Sequence, residues 1–359
     1  MTPKYVRLAN ILREQIRSNI QTVDKKLPTE AVLAKRYGVS RQTVRQALSL
    51  LKSEGIILTR QGSGAYILRS GDKNSSKKIA ILVSSDSDYI YPDLISTLKA
   101  SFKRGGYSVR VMVTDDNIVT ERNHLQDILT EDFAGLICEP VKNAYPGANI
   151  DLFEKIRDRD TRILFMGGSY FNFPDFPKVK SDDVYGGYLA FRTLIKKGHK
   201  SVACLFNRDA MAGVERYQGV LMAANDFNAK ISDDMCTWYT SDDLRELRRN
   251  RNNVFLTDFL RKQANKVSAV ICMNDEIAYF LIKHAKTLGI DVPGDISVIS
   301  FDNSYLSVFD DMNITTVAHN AHEPAKSAAS GLIKILNGQL FSSVKLSWHL
   351  ISRQTDRVM

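Results

Sequence analysis

Acidic, amide and aromatic side chains follow short apolar runs at several points beyond residue 78. Among them are Asp88, Tyr89 and Tyr91, then Glu139, then Asn274 and Asp275, and finally Asp302. Carboxylates accept paired hydrogen bonds from hydroxyl groups, and aromatic rings cover the apolar face of a pyranose, so the combination is typical of polyol binding. Taken singly, each of these acids and amides is better explained as a helix cap, because Asp and Asn after a strand often cap the next helix.

A second polar set lies at the start of a short predicted helix that Ser40 caps. Arg41 and Arg45 lie on the outer face of this helix, where they can pair with guanine O6 and N7 or with phosphate. Gln42 and Thr43, beside them, suit phosphate or base edges. The inner face is apolar and consists of Val44, Ala47, Leu48 and Leu51. These residue types at a helix N-terminus indicate DNA recognition.

Enzymatic chemistry is poorly represented in the sequence. There is no P-loop, no Gly-x-Ser-x-Gly nucleophile elbow and no His-rich metal spacing. The four cysteines are far apart, and three of them lie in apolar runs, which predicts buried thiols in a reducing compartment: Cys138, Cys204, Cys236 and Cys272. We therefore expect a protein that is not an enzyme, with no catalytic residues, no metal and no cofactor.

The elements around the recognition helix have the order of a winged helix-turn-helix. An amphipathic helix opens the chain, a short helix capped by Thr29 ends at Gly38, and the helix from Arg41 is followed by two strands. A glycine turn at Gln61 and Gly62 joins these strands, and its narrow tip can approach the DNA backbone or the minor groove. We predict a DNA-binding domain over residues 1–69.

The charge distribution supports this division of the chain. Residues 1–70 contain 13 Lys and Arg against four acids, so they carry a net charge of +9, and the remaining residues contain 36 charges of each sign. All of the excess positive charge thus lies in the first part of the chain. Neutralisation of phosphate supplies the part of DNA affinity that does not depend on sequence, so this segment suits double-stranded DNA.

The larger part of the chain has the pattern of an α/β fold. Residues 70–78 are expected to form a linker, because they are almost entirely polar. From residue 79 to 359, apolar runs such as Ile79–Val83 and Ala269–Met273 alternate with amphipathic helices, which predicts parallel sheets covered on both faces. About 280 residues exceed one open sheet, so we predict two doubly wound lobes. Ligands of such sheets bind beyond the carboxyl ends of the strands.

The sequence contains no apolar stretch long enough to span a membrane, and its N-terminus lacks the apolar core of a signal peptide. A cytoplasmic protein is therefore expected.

Residues 4–68 resemble the DNA-binding domain of the GntR family. The resemblance rests on Leu27-Pro28-Thr29-Glu30, Tyr37-Gly38-Val39-Ser40-Arg41, Thr43-Val44-Arg45, Gly55-Ile56 and Gly62-Ser63-Gly64. It implies DNA contacts from the arm Lys4-Tyr5 and from Glu30, Arg41, Thr43 and Arg45. Two departures are the lack of a glycine before Leu27 and the presence of Ala65 where the family usually has Thr, which would weaken one contact of the wing with phosphate.

Residues 78–353 resemble the sensor domain of the LacI/GalR family and the periplasmic sugar-binding proteins. The motifs are Asp182-Asp183 with Gly186-Gly187, Arg216 with Gly219, Asn274-Asp275-Glu276-Ile277-Ala278, Val292-Pro293, Phe301-Asp302 and Thr315-Thr316-Val317. The resemblance implies a periplasmic-binding-protein-like fold and sugar contacts at Arg216, Asn274 and Asp302. Asp183 and His319 complete the set of expected effector-binding residues, although Arg216 also fits an ordinary surface position.

The pairing of a GntR-type head with this sensor domain resembles the arabinose repressors of sugar catabolism. It implies a homodimeric repressor that a small sugar, L-arabinose, releases from its operator. We expect lobe one to contain residues 79–181 and 316–340, and lobe two residues 182–315 and 341–359. The alternatives are a sugar-binding protein of transport, which the basic head disfavours, and an activator that responds to a different sugar.

Overall fold

The computed structural model describes residues 3–17, 27–53, 56–60, 64–67, 76–173, 176–250 and 253–359. The chain divides into two compact units: a small, mainly N-terminal unit of residues 1–75 with residues 334–340, and a larger unit of residues 76–333 and 341–359. None of the helices within these ranges combines the length and the apolar character that a membrane span requires.

The N-terminal unit is the predicted winged helix-turn-helix. Its elements are α1 (Lys4–Arg17), α2 (Glu30–Tyr37), α3 (Arg41–Ser53) and the antiparallel strands β1 (Ile57–Arg60) and β2 (Gly64–Ile67). The Thr29 hydroxyl accepts a hydrogen bond from Val32 N (3.5 Å), and the Ser40 hydroxyl accepts one from Thr43 N (3.1 Å). Gly38 ends α2 at φ 63°, a left-handed conformation that glycine adopts without strain. Both predicted caps and the glycine turn are therefore confirmed.

The core of this unit is formed by the inner faces of the three helices and β1, including Leu12, Leu33, Val44, Leu51 and Ile57. Ala65 is buried against this core, and its carbonyl accepts a hydrogen bond from Leu27 N (2.8 Å). The expected loss of a phosphate contact at Ala65 is thus not supported, since a side chain here faces inward. Gln61 and Gly62 of the wing tip lie outside the described residues, as do residues 70–75 of the expected linker.

Lobe one of the larger unit is built on a six-stranded parallel sheet. Its strands are β3 (Lys78–Val83), β4 (Ser108–Val113), β5 (Gly135–Cys138), β6 (Arg162–Met166), β7 (Lys178–Ser181) and β13 (Val344–Leu346), in the order β13-β7-β6-β5-β3-β4. The helices of this lobe are α4 (Tyr91–Arg104), α5 (Ile118–Thr130), α6 (Ile150–Asp158) and α12 (Glu323–Leu336).

Lobe two is built on a second six-stranded sheet. Its strands are β8 (Val202–Asn207), β9 (Cys236–Tyr239), β10 (Ala269–Cys272), β11 (Ser297–Phe301), β12 (Thr315–Ala318) and β14 (His349–Ile351), in the order β14-β12-β11-β10-β8-β9. Only β14 is antiparallel to its neighbour among these described strands. The helices are α7 (Asp183–Lys196), α8 (Met211–Asp226), α9 (Ser241–Asn250), α10 (Val254–Gln263) and α11 (Asp275–Thr287). Short 3-10 turns at Asp233–Met235, Tyr305–Ser307 and Phe309–Asp311 complete the lobe.

The expected boundaries need three corrections. Lys78 belongs to β3, where it pairs with Ser108, so the linker ends before residue 78. Strand β12 pairs with β11 and therefore belongs to lobe two, whereas β13 pairs with β7 and belongs to lobe one. The chain thus crosses between the sheets after β7, after β12 and after β13. Short strands such as β13 have too little periodicity to show their sheet in the sequence.

Candidate effector-binding cleft and DNA-binding surface

The loops at the carboxyl ends of both sheets meet in the space between the lobes. Tyr89, which follows β3, donates a hydrogen bond from its hydroxyl to Asp302 Oδ2 beyond β11 (2.7 Å). Asn143, which follows β5, accepts a hydrogen bond at Oδ1 from Met211 N at the start of α8 (2.7 Å). The lobes are therefore in direct contact, as in a closed cleft.

Arg216 is the central cation of lobe two. Its side chain is buried, and its Nε donates to Asp183 Oδ1 (2.9 Å), while Nη2 lies 3.9 Å from Asp302 Oδ1. The guanidinium also stacks 4.0 Å above the Phe301 ring and donates to the Met273 carbonyl. The alternative of an ordinary surface Arg is therefore wrong for Arg216.

Close contact between α7 and α8 explains how Arg216 reaches Asp183. A Cβ on Gly187 would overlap the carbonyl oxygen of Arg216, and a Cβ on Gly219 would overlap that of Val184. Glycine at both positions lets the two helix backbones touch. Gly187 and Gly219 thus serve helix packing, which fixes the buried ion pair, whereas Gly186 leaves room for the Trp348 ring.

Tyr89 and Asp302 form the bond across the cleft from unusual backbone conformations. Their backbone φ angles are 57° and 95°, in a region that residues other than glycine rarely adopt. Burial is the main cause that raises the pKa of Tyr89, and the Asp302 charge adds to it. Tyr89 is therefore a neutral hydrogen-bond donor. The unusual φ angles of two residues that contact each other between the lobes are typical of a functional site.

Tyr91 and Glu139 form a second polar pair on the lobe-one side. The Tyr91 hydroxyl donates to Glu139 Oε1 (2.9 Å) and is itself bonded to the Ser84 hydroxyl, and Glu139 Oε2 accepts from Ser84 N (2.8 Å). Burial raises the pKa of the Glu139 carboxyl, although its hydrogen bonds oppose the shift. Asp88 is exposed nearby, and α4 begins without a side-chain cap, so Asp88 does not cap it.

Asn274 and Asp275 have structural partners. Asn274 Oδ1 accepts from Ile277 N (3.0 Å) and thereby caps α11. The Asp275 carboxylate is fully buried and accepts from the hydroxyls of Ser300 and Thr316 and from Ser304 N. The cap interpretation is thus correct for Asn274, and the structure does not bring the Asp275 carboxylate to the cleft surface.

His319 lies where the chain crosses between the lobes. Its Nδ1 is 2.9 Å from the Ser347 carbonyl, its Nε2 is 2.7 Å from the Ser181 hydroxyl, and its ring stacks on Trp348 at 3.6 Å. Burial lowers the pKa of His319, so a neutral ring donates to Ser347 and accepts from Ser181. His319 therefore connects all three crossing segments, and this position favours a hinge role over direct effector contact.

Several charged residues of the cleft were not among the expected effector-binding residues. Lys142 Nζ lies 3.6 Å from Asp209 and 3.7 Å from Asp242, and Arg248 forms a bidentate ion pair with Glu276. Asp115 accepts from Arg245 and Arg249 of α9. A signal was present in the dense charges of α9, Ser-Asp-Asp-Leu-Arg-Glu-Leu-Arg-Arg-Asn, but such runs are usually solvated helix faces.

The predicted DNA-contacting residues of the N-terminal unit lie at the N-terminal ends of its helices. Arg41 and Gln42 are exposed on the first turn of α3, and Thr43 bonds to the capping Ser40 (2.9 Å). Arg45 Nε donates to Glu30 Oε2 (2.8 Å), so Glu30 orients this side chain. Lys4 and Tyr5 are the first residues of α1, where Lys4 is exposed and Tyr5 is half-buried, so the expected arm at these two residues is helical.

Two family models match the two units. Residues 4–67 match the bacterial regulatory proteins of the gntR family, and residues 191–355 match the periplasmic binding protein-like domain. With the winged helix-turn-helix and the cleft between two parallel-sheet lobes, they define a DNA-binding transcription regulator with an effector-binding domain.

Two relatives of known function identify the family within this class of transcription regulators. The arabinose metabolism transcriptional repressor of Geobacillus stearothermophilus is 30% identical over 336 residues, which are 93% of this chain and 91% of that protein. The one from Halalkalibacterium halodurans is 28% identical and covers 94% of this chain and 90% of its own length. The chain belongs to this family of transcriptional repressors.

Solved structures share the fold at lower identity. The cellobiose complex of the transcriptional regulator CelR has a TM-score of 0.68 at 17% identity and covers 92% of this chain and all of that one. A periplasmic binding protein/LacI transcriptional regulator from Alkaliphilus metalliredigens, solved with D-xylulofuranose, has a TM-score of 0.65 at 22% identity and covers 78% of this chain and 99% of its own.

Proposed function

We propose that the protein represses arabinose-utilisation genes and that L-arabinose, bound between the lobes, releases it from its operator. The relatives named as arabinose repressors, the basic winged helix-turn-helix and the polar cleft support this proposal. It acts as a homodimer in the cytoplasm without catalysing a reaction, and each head reads one half-site of a palindromic operator.

The single observation that carries the choice of effector is the balance of charge in the cleft. Arg216 pairs with Asp183, Arg248 with Glu276, and Lys142 with Asp209, so each of these three cleft cations has a carboxylate partner. A phosphate or a sugar acid would compete with these carboxylates and repel them. An uncharged polyol instead accepts and donates hydrogen bonds without disturbing the pairs, so the cleft suits a neutral sugar.

Both lobes contribute hydrogen-bonding groups that suit the hydroxyls of a sugar. Asp302 and Arg216 come from lobe two, and Tyr91 and Glu139 come from lobe one. A sugar that contacts both sides stabilises the closed form. The effector must therefore prefer the form that binds DNA poorly, and DNA must then weaken sugar binding by the same factor.

The test begins with calorimetric titration of the full chain with L-arabinose, D-xylose, D-ribose and D-ribose 5-phosphate. A duplex selected by the protein from a random library then serves as operator in fluorescence anisotropy. We expect L-arabinose to bind and to release this duplex, and the phosphate ester not to bind. Tight binding of the phosphate ester, or sugar binding that leaves operator affinity unchanged, would contradict the proposal.

The sign of regulation needs a separate measurement. A reporter gene placed behind the selected operator should be silent with the protein and expressed when L-arabinose is added. Expression that instead requires the protein would identify an activator.

A further inference from the structure

Arg248 is held in one orientation at the lobe-two side of the cleft. Its Nε and Nη2 donate to Glu276 Oε1 and Oε2, both at 2.6 Å, in a side-on bidentate pair. Glu276 lies in the first turn of α11, directly after Asn274 and Asp275, and its side chain is 6% exposed, whereas that of Arg248 is 30% exposed. The pair fixes the plane of the guanidinium and leaves its other N–H groups for another acceptor.

Arg248 lies on the helix of lobe two that contacts lobe one, because Arg245 and Arg249 of the same helix both donate to Asp115 in the loop after β4. Burial lowers the pKa of Arg248, but the hydrogen bond and the charge of Glu276 raise it, so the guanidinium stays a cation. Tyr91 is bonded to Glu139. Tyr91 and Glu139 follow β3 and β5 at the edge of lobe one that meets lobe two, so a sugar held between the lobes would have these groups on one side and the oriented cation of α9 on the other.

Helix α9 brings Arg248 to this position when the lobes are closed. Arg245 and Arg249, on its outer side, donate to the carbonyl (3.0 Å) and the carboxylate (2.8 Å) of Asp115 in lobe one. Leu244 and Leu247 fix the helix against the core of lobe two. The position of Arg248 relative to lobe one therefore depends on closure, which under the proposed function is the step that the effector controls.

We propose that Arg248 is a specificity-determining contact of the effector site, and that its N–H groups not engaged by Glu276 donate to hydroxyls of the bound sugar. The assignment rests on the proposed function. A planar donor in fixed orientation distinguishes equatorial from axial hydroxyls, because a misplaced hydroxyl leaves a buried donor without its acceptor. Arg248 would thus set which epimer is bound, and Arg216 would anchor the site from the other side.

The experiment is calorimetric titration of wild type and variants with L-arabinose and its C2, C3 and C4 epimers, L-ribose, L-lyxose and D-xylose. We expect Arg248→Met to weaken L-arabinose binding about 10- to 100-fold and to bring the four affinities closer together, as loss of a charged hydrogen bond predicts. Arg248→Lys should retain part of the affinity for L-arabinose but not the order of affinities for the four sugars, because the Lys ammonium lacks the planar arrangement of N–H donors. Arg261→Met, at an exposed position of α10, is the matched control and should leave both unchanged.

Loss of the ion pair leaves Glu276 buried without its partner, so the double variant Arg248→Met/Glu276→Met provides a second test if the single variant is unfolded by circular dichroism. The double variant should also lose the discrimination among the four sugars. A folded single or double variant that retains the wild-type affinity and ranking within about twofold would overturn the role of Arg248. A wild type that binds none of the four sugars would overturn the proposed function itself, and this assignment with it.

Discussion

Asp275 illustrates how burial changes the chemistry of a single carboxyl group. It is enclosed in lobe two with three hydrogen-bond donors from Ser300, Ser304 and Thr316. Burial is the main cause that raises its pKa to about 7, and the hydrogen bonds of Ser300 and Thr316 only partly oppose it. A carboxyl group at the start of α11 is thus partly protonated near neutral pH.

This shift predicts a pH dependence of stability. The folded protein binds the proton more tightly than the unfolded chain, so the contribution is complete below about pH 4 and is lost as the pH rises towards 7. Relative to Asp275→Asn, we expect the unfolding free energy of wild type to fall by roughly 1–4 kcal/mol between pH 5 and 8. Urea denaturation at each pH measures the unfolding free energy. If the free energies of wild type and Asp275→Asn changed in parallel with pH, the raised pKa of Asp275 would be refuted.

Arg45 is the residue for which DNA recognition is most directly testable. Its guanidinium is exposed on α3 and is oriented by Glu30. We expect Arg45→Ala to weaken operator binding by about 1–3 kcal/mol and to relax the preference for one base pair, as loss of a guanine contact does. Fluorescence anisotropy with single-base operator variants is the measurement. Lys52→Ala, in the last turn of α3, is the control, and an unchanged affinity of Arg45→Ala would exclude the assigned role.

At the scale of elements, α9 acts as a bridge between the lobes. Arg249 of α9 pairs with Asp115, and both side chains are more than half exposed. Exposed pairs contribute little and are screened by salt, so this pair adjusts the closed state and does not determine it.

The contribution of this pair can be measured by charge reversal. Arg249→Glu places like charges together in the closed form, so we expect L-arabinose affinity to fall about two- to fivefold at low salt and less at high salt. The double variant Asp115→Arg/Arg249→Glu should recover most of the loss. Titration calorimetry at 50 and 500 mM NaCl would test both, and a loss that the exchanged pair does not recover would argue against an ionic contact.

At the scale of the whole molecule, the proposed function links two equilibria in one chain. If L-arabinose weakens operator binding by a given factor, saturating operator must weaken L-arabinose binding by the same factor. We expect this factor to lie between about 5 and 150. Calorimetry with and without operator, together with anisotropy with and without sugar, measures both. If neither affinity changed, release by sugar would be excluded.

Features that depend on interactions between neighbouring residues could be predicted from the sequence. Apolar periodicity, the caps Thr29 and Ser40 and the turn at Gly38 predicted the winged helix-turn-helix, because each is a local interaction. The alternation of apolar runs and helices likewise predicted two parallel-sheet lobes. The concentration of positive charge identified the DNA-binding end without any structure.

Contacts between side chains that are far apart in the sequence are seen only in the tertiary structure. Tyr89 and Asp302 are 213 residues apart in the sequence and bond across the cleft, and Arg216 reaches Asp183 only because two glycines let their helices touch. Packing also places His319 where the chain crosses between the lobes, buries Asp275 and pairs Arg248 with Glu276. Local patterns specify which faces are buried, but contacts between distant segments follow from how the elements pack, and the chemistry of the cleft depends on those contacts.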